Sequence, residues 1–463
     1  MHMRKPFPVI PYSPRTVTTI RASELIILNQ QRGEIDMARV YWGEIKDPIY
    51  GYVYITEEEK AVIDSYPVQR LRRLRQLAGA EYVYPGANHT RFEHSVGVMH
   101  LSGKVLENPN ISQHISKDET GIVKIAALLH DVGHGPFSHI FEHLLIKKLG
   151  KTHEDLTVWI IKNSELKDEL GKLGYSVDEI ADLAVGRHPS RDKAFLNQII
   201  SSSIDVDKMD FIVRDTYHTG AGYGFVDVFR LIHTFDVLDG NLAVDIGALS
   251  TLESFIIARV ESFKSIYFHR VGRAAQIMLA MALERADEEL DLTGFRNPEE
   301  YLAMDDYTVW TMLRNCTKSS GIIRNMERRR MLKCAYEQTF YVKDKTISNI
   351  FSAEEFRNQL TEKIALKANV DPELVVIDVP TVPSVPYYHH SIFMEPMEIP
   401  IVRKTYEGRV ELRRLSEISN IFEVLKGFIN ILRVYTDENL RGKVGEAASE
   451  VLGEIPFSAK ISY

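Results

Sequence analysis

Residues 122–139 read IVKIAALLHDVGHGPFSH. The first eight are apolar but for Lys124, with spacings that suit a helix buried on most of its surface. His130 and Asp131 then arrive side by side, just before Gly133 and Gly135. Neighbours on a helix point roughly 100° apart, so a His–Asp pair can address one point only at a helix end. The two glycines supply that end and allow close backbone approach. The stretch therefore predicts a mainly α chain in which a core helix delivers an imidazole and a carboxylate to one place.

Working outward, three more segments concentrate His and Asp: Asn88–Ser95 (NHTRFEHS), Thr152–Glu154 (THE) and Ile204–Asp215 (IDVDKMDFIVRD). Of 16 histidines, His89, His94, His130, His134, His139, His143 and His153 fall between positions 89 and 153. Taken singly, a histidine is more often a hydrogen-bonded structural residue than a ligand. Here several flank apolar helices, where unpaired polar groups are costly, and their coincidence favours a metal site. Imidazole and carboxylate donors without thiolate suit Mg, Mn, Fe, Ni or Zn in a non-structural role. His94, 36 residues before His130, and Asp207, 76 after Asp131, lie on helical stretches that can face a common centre.

Composition narrows the class. The 463 residues are a soft prior for about three domains. Charged residues at 26% and hydrophobic residues at 44% describe an ordinary globular chain. The formal charge, 56 − 64 = −8, argues against a large nucleic-acid interface. The two cysteines, Cys316 and Cys334, exclude a disulfide scaffold and a thiolate zinc site. With no signal-like N-terminus and no apolar run of spanning length, the expectation is a soluble, cytoplasmic protein that does not engage a membrane.

The chain divides into an N-terminal extension (1–40), a helical catalytic region (41–290) and a mixed α/β C-terminal region (291–463). Ala38–Tyr54 reads as a β-hairpin, and Thr56 with Glu59 as a capping box opening a helix that breaks near Pro67. Beyond it, Arg70, Arg72, Arg73 and Arg75 interleave with Val68, Leu71, Leu74 and Leu77. That pattern gives a solvated face opposite an apolar stripe. Helices are expected over Phe92–Val105, Gly121–Asp131, Lys151–Ile161, Ser203–Thr216 and Leu252–Glu289, with a strand at Leu242–Ile246. Further on, helices are expected near 320–338 and at Leu415–Tyr435. Strands are expected at Thr339–Val342, Leu374–Val379 and Ile399–Tyr406, with the connector PTVPSVPYY before the last.

Three stretches carry a resemblance: QRLRRLRQLAGAEYVYPGANHTRFEHSVGV (Gln69–Val98), LLHDVGHGPFSHIFEH (Leu128–His143) and IDVDKMDFIVRD (Ile204–Asp215). With H…HD…D as His94, His130–Asp131 and Asp207, they resemble the HD superfamily of metal-dependent phosphohydrolases. The nearest type is the SAM-and-HD-domain deoxynucleoside triphosphate triphosphohydrolases. The likeness runs from Asp47 to Arg273, with an echo at Leu432–Arg441. No SAM domain is expected ahead of it.

That resemblance implies an HD-domain helical bundle with a short N-terminal hairpin and a smaller mixed α/β C-terminal region. It implies one divalent metal ion held by His94, His130, Asp131 and Asp207, with His134 and His153 as catalytic histidines. Glu142 stands where the family has Asp. It further implies Arg91, Lys208 and Arg259 on a triphosphate, and Gln76, Leu77, Phe211, Asp215 and Tyr267 around the sugar. Phe211 and Phe268 replace a Tyr and a Gln of the best-known type, so base and sugar preference are not carried over. Asp64, Gln69 and Arg72 match a regulatory guanine-nucleotide site for GTP or dGTP between subunits, although Gly43 and Lys46 depart from its pattern. The implied assembly is a homo-oligomer, dimer or tetramer.

The expected reaction is hydrolysis of a dNTP to deoxynucleoside and inorganic triphosphate, which needs charge stabilisation and an activated water. Two alternatives stay open: hydrolysis of a monophosphate or cyclic phosphodiester, and a nucleotide-sensing or nucleic-acid-binding protein whose hydrolysis is secondary. No P-loop or GxSxG elbow is present, and DVDKMD lacks the glycine of an EF-hand turn.

Overall fold

The computed structural model describes residues 41–190, 192–342, 353–383, 399–404, 410–421 and 428–453. The extension 1–40 and most of the Pro-rich connector lie outside the described residues. The hairpin forms as β1 (Gly43–Asp47) and β2 (Gly51–Ile55), in antiparallel register with Gly43 opposite Ile55. Asp47 closes its turn, accepting from the amides of Ile49 (2.8 Å) and Tyr50 (2.9 Å). The Thr56–Glu59 capping box opens α1 (Glu57–Ile63), and Pro67 falls in the first turn of the next short helix, Tyr66–Arg70.

Two helices make the centre. α2 (Arg91–Glu107) is buried along most of its length, and α3 (Lys117–Leu129) is buried without a break from Val123 to Leu129. His130 caps α3, so the helix ends where the His–Asp pair requires. α4 (His139–Leu149), α5 (His153–Asn163) and α6 (Val206–Thr219) surround this pair. Thr152 caps α5, accepting from the Asp155 amide, and Asp205 caps α6 from the Lys208 amide. A Cβ on Gly133 would lie 2.1 Å from the His153 carbonyl oxygen, so that glycine is what lets the start of α5 sit against the loop after α3.

The long helix expected over Leu252–Glu289 is two helices, α7 (Leu249–Ser262) and α8 (Arg270–Leu290), separated by a π-turn at Phe263–Tyr267. A π-turn of five residues shifts the helical phase only locally, so the apolar spacing on either side still reads as one long helix. His269 then caps α8 by accepting from the Val271 amide.

Two C-terminal expectations are corrected. The helix near 320–338 ends at Glu327 and gives way to β5 (Lys333–Val342). Of the helix expected over Leu415–Tyr435, Leu415–Ile418 forms one turn and 420–421 are helical again, residues 422–427 lie outside the described residues, and Phe428–Thr436 is strand β10. Short apolar runs such as ILRVY suit either period, and pairing with distant strands decides between them. β10 lies between β5 and β6 (Val376–Asp378), and also pairs with β7 (Thr381–Pro383). α9 (Glu354–Ala368) and α10 (Arg441–Gly453) share a separate apolar cluster with this sheet. Arg273 of α8 joins it bidentately through Asp378, at 3.1 and 2.6 Å.

A second sheet reaches the catalytic region. β3 (Phe235–Leu238) and β4 (Asn241–Asp245) form a hairpin, and β8 (Pro400–Lys404) adds parallel to β4, with β9 (Val410–Arg414) at its edge. Among the described residues, no helix is long and apolar enough to cross a membrane.

Helix α2 has one position where packing tolerates no side chain. A Cβ on Gly97 would lie 2.0 Å from Asp210 Oδ1 and 2.4 Å from Arg214 Nη2, a buried ion pair of α6. Mid-helix Gly→Ala ordinarily stabilises by about 1 kcal/mol. Gly97→Ala is expected instead to destabilise by roughly 3–5 kcal/mol, the cost of breaking a buried pair. Urea unfolding checks the sign.

Candidate metal centre and adjoining cavity

Three elements, α2, the end of α3 and α6, bring His94, His130, Asp131 and Asp207 to one place. Ligand atoms of His94, His130 and Asp131 all lie within 4.8 Å of one another. Asp207 Oδ1 sits 3.1 Å from His94 Nε2 and 3.7 Å from His130 Nε2. The far side of each ring fixes its tautomer. His94 Nδ1 donates to Asp210 Oδ2 at 2.8 Å, and His130 Nδ1 donates to the Ala127 carbonyl at 2.8 Å.

Both Nε2 atoms therefore turn lone pairs toward two carboxylates, and both are buried without a hydrogen-bond partner. Lone pairs and carboxylate oxygens converging in a buried pocket need a cation between them, and this N,O donor set fits a divalent metal ion. The same field acts on the protonated ring: burial lowers the His94 pKa, but the facing carboxylates of Asp207 and Asp210 prevail and raise it to about 10. Asp131 is held well below the usual carboxylate range; burial opposes this, and the Arg91 charge outweighs it.

Behind the ligands runs a chain of buried charges. Arg214 grips both oxygens of Asp210, at 2.8 and 2.9 Å, and reaches Asp47 Oδ2 at 2.9 Å. His94, Asp210, Arg214 and Asp47 thus tie a ligand on α2 to α6 and to the hairpin turn. The metal-site reading from sequence passed over Asp210 and Arg214. Their signal was present, since Asp210 is three residues after Asp207 and four before Arg214.

Beside the metal ligands, His134 stacks on His153 with ring centres 4.0 Å apart and planes 14° apart. His134 Nε2 is 3.3 Å from Asp131 Oδ1. His153 Nδ1 meets Glu142 Oε1 at 2.5 Å, the same oxygen accepts the His153 amide at 3.0 Å, and His139 Nδ1 meets Oε2 at 3.0 Å. The longer Glu142 side chain therefore still reaches His153. The two stacked rings are pushed apart in pKa. Burial, then the charges of Arg91 and His153, drive His134 well below 6.5. Burial also works against His153, but the Glu142 hydrogen bond and charge prevail and raise it.

Phe137 and Ser138, between His134 and His139, both have positive φ (59° and 57°). Ser138 Oγ accepts from Arg91 Nε at 2.7 Å and donates to the Arg75 carbonyl at 2.9 Å, which aims the Arg91 guanidinium at Asp131.

A cavity of about 980 Å³ opens over the centre, lined by Gln76, Arg91, Lys208 and Phe211 of the expected substrate residues. Its far wall comes from Asn197, Gln198, Ser201–Ser203, the β3–β4 turn and Leu412–Arg414 of β9. Lys208 Nζ is held by Asp205 at 2.6 Å. Leu77, Asp215, Arg259 and Tyr267 do not line the cavity. Asp215 is buried, with Oδ1 on His89 Nε2 at 2.8 Å and Oδ2 taking the Tyr267 hydroxyl at 2.5 Å; Tyr267 in turn meets the Phe211 ring edge-on. Arg259 lies over the Phe263 ring at 4.9 Å, and burial brings its pKa down to about 10.

Of the expected regulatory trio, Arg72 Nε donates to Gln69 Oε1 at 2.9 Å and its guanidinium lies 3.5 Å over the Phe92 ring. Asp64 pairs with Lys60 at 2.9 Å. Arg73 and Arg75 lie on a half-exposed face, Arg73 paired with the sequence-distant Asp305 and Arg75 with Glu81. Arg70, by contrast, is fully buried.

Comparison with known proteins agrees with this geometry. The family model for the HD domain matches residues 91–215, and that for the HD associated region matches residues 226–459. A deoxynucleoside triphosphate triphosphohydrolase SAMHD1 homolog of Dictyostelium discoideum is 33% identical over 315 residues, covering 62% of this chain and 59% of that protein. SAMHD1 of Gallus gallus is 31% identical over 330 residues, covering 63% and 53%. The matched part is thus little more than half of these curated relatives. The crystal structure of a hypothetical protein from Aquifex aeolicus superposes with a TM-score of 0.72 at 30% identity, covering 87% of this chain and 99% of that one.

Because Asp210 fixes the His94 tautomer, Asp210→Ala is expected to weaken metal binding about 10–100-fold. Titration of the metal-stripped protein with Mn or Zn measures this.

Proposed function

This chain belongs to the HD-domain phosphohydrolases that carry an HD-associated region, and from that premise we propose that it hydrolyses deoxynucleoside triphosphates to deoxynucleoside and inorganic triphosphate. The observation that carries the reading is the pair of stacked imidazoles, one with its pKa pushed down and one with its pKa pushed up, beside a donor set that fits a divalent metal in a cavity with Arg91 and Lys208 on its wall. The named activity of the SAMHD1 relatives supports it.

His94, His130, Asp131 and Asp207 would hold one divalent ion. When bound, such an ion polarises a phosphoryl oxygen and lowers the pKa of water. Arg91, aimed by Ser138, contacts the phosphates bidentately, and Lys208 adds a point charge. Neutral His134 orients the attacking water at the α-phosphorus. His153, kept cationic by Glu142, donates a proton to the 5′-oxygen as the bond from phosphorus to that oxygen breaks. Phe211 packs against the sugar, and the Asp215–Tyr267–His89 cluster shapes the floor beneath it. Gln76, on the cavity wall, flanks the sugar on the other side.

In the same reading, Asp64, Gln69 and Arg72 take a guanine nucleotide as activator in a cytoplasmic homo-oligomer. An Asp accepting from a guanine ring edge, with an Arg on its carbonyl, is sound base recognition.

Two measurements test this. Metal-loaded protein incubated with each dNTP is expected to release inorganic triphosphate, faster with GTP, and His130→Ala to release none. Pyrophosphate or orthophosphate as product would overturn the dNTP triphosphohydrolase assignment, and indifference to GTP the regulatory one. The second concerns pH. A raised His153 pKa means that the ring holds its proton to higher pH than an ordinary imidazole and loses it as pH rises through that pKa. Glu142→Gln removes the charge that raises it while leaving the burial that lowers it. The alkaline limb of kcat is therefore expected to move about one pH unit or more toward acid. A limb that stays in place would exclude His153 as the proton donor.

A further inference from the structure

Among the largest fully buried side chains are two arginines, and they are solvated by the protein in different ways. Arg214 is neutralised by Asp210 and Asp47. Arg70 makes no ion pair among the described residues. Its Nη1 donates to the His134 carbonyl at 2.8 Å, its Nε to the Met304 carbonyl at 2.9 Å, and its Nη2 is buried without a partner. The guanidinium lies 5.1 Å over the ring of Tyr301, whose hydroxyl donates to the Gly133 carbonyl at 2.8 Å. Burial lowers the Arg70 pKa.

A buried cation with only neutral acceptors is an expensive way to fill space that Met or Leu would fill. Its bonds instead fall on one feature. The loop from Gly133 to Ser138 has no regular backbone hydrogen-bond ladder and passes through two left-handed residues. Thr157 Oγ1 accepts from the Gly133 amide at 3.0 Å and the Asp131 carbonyl from the His134 amide, and the two carbonyls that follow are held by a pair of side-chain donors: Tyr301 on Gly133 and Arg70 on His134. The His134 ring that this backbone carries must lie flat on His153 while its Nε2 stays near Asp131.

We propose that Arg70 is a positioning residue that, with Tyr301, clamps the backbone of His134 and so sets where its imidazole meets the substrate. The inference rests on the hydrolytic reading above in giving His134 a role in turnover. Its structural half, that Arg70 fixes the His134 ring, does not need that reading. Arg70 touches none of the four metal-ligand side chains, so its loss is expected to spare the metal while degrading turnover.

The test compares Arg70→Met, Arg70→Lys and Tyr301→Phe in metal-loaded full-length protein. Expected for Arg70→Met are wild-type metal content, a kcat at least tenfold lower and a KM within twofold of wild type. Arg70→Lys, which keeps one N–H donor on the carbonyl, recovers part of the loss, and Tyr301→Phe loses less. In parallel, 15N-histidine spectra of the zinc-loaded protein are expected to show the His134 ring signals shifted and broadened in Arg70→Met, with those of His94 and His130 in place. Should Arg70→Met fail to fold, the Lys and Phe variants carry the same readouts. Unchanged His134 signals, or a kcat loss that follows lost metal or lost folded protein in proportion, would overturn the proposal. Wild-type protein that turns over no dNTP, but shows the His134 shift on substitution of Arg70, would sink the hydrolytic reading and retain the clamp.

Discussion

The line His94–Asp210–Arg214–Asp47 is the constraint from which the rest of the structure follows. It runs through the core from a metal-ligand ring to a surface hairpin, and each member is buried. Burial raises the Asp210 pKa, but the Arg214 charge prevails and holds it down to about 2, so the pair stays charged in a place that excludes water. Such an arrangement stabilises only if it is complete, because removal of one partner strands the others. It therefore fixes α2, α6 and the turn of the hairpin relative to one another, and dictates a glycine at position 97 where the helices touch.

From that frame the chemistry is a matter of where protons are kept. The Nδ1 atoms of His94 and His130 are committed to fixed acceptors, which leaves only Nε2 for a ligand. His134 and His153 are the same residue type in face-to-face contact, yet their neighbours drive them in opposite directions. Arg91 and the His153 charge discourage a proton on His134, while Glu142 encourages one on His153. Paired titratable groups with separated pKa values are the usual mark of divided acid and base roles. The irregular loop that carries His134 gets its rigidity from outside itself, through Arg70, Tyr301 and the contacts of Ser138.

The cavity belongs to both ends of the chain. β4 lies in the catalytic half of the sequence, and its parallel pairing with β8 brings Leu412–Arg414 over the same space that Gln76 and Arg91 line from below. Residues more than 300 positions apart thus share one wall, and the catalytic half alone would leave it open.

The sequence by itself determined the helical core, its caps and the four His and Asp residues that the fold brings to one place. An apolar helix that must end in glycine, with His and Asp at its tip, leaves few ways to dispose of two polar side chains except on a cation. His94 and Asp207 follow because each sits on a helical stretch with apolar spacing that can face a common centre. Only the tertiary structure decided which charges are solvated. Arg70, Arg73 and Arg75 look alike in the sequence, yet one is sealed in the core and two lie at the rim, since a helical stripe does not say what another segment will cover. The same holds for the π-turn before α8 and for β10, whose strand conformation depends on pairing with β5 nearly a hundred residues away. Local periodicity reports what each segment prefers alone. Pairing partners, buried ion chains and the protonation of facing histidines depend on atoms brought near only by folding, and those contacts carry energies larger than the local preferences they override.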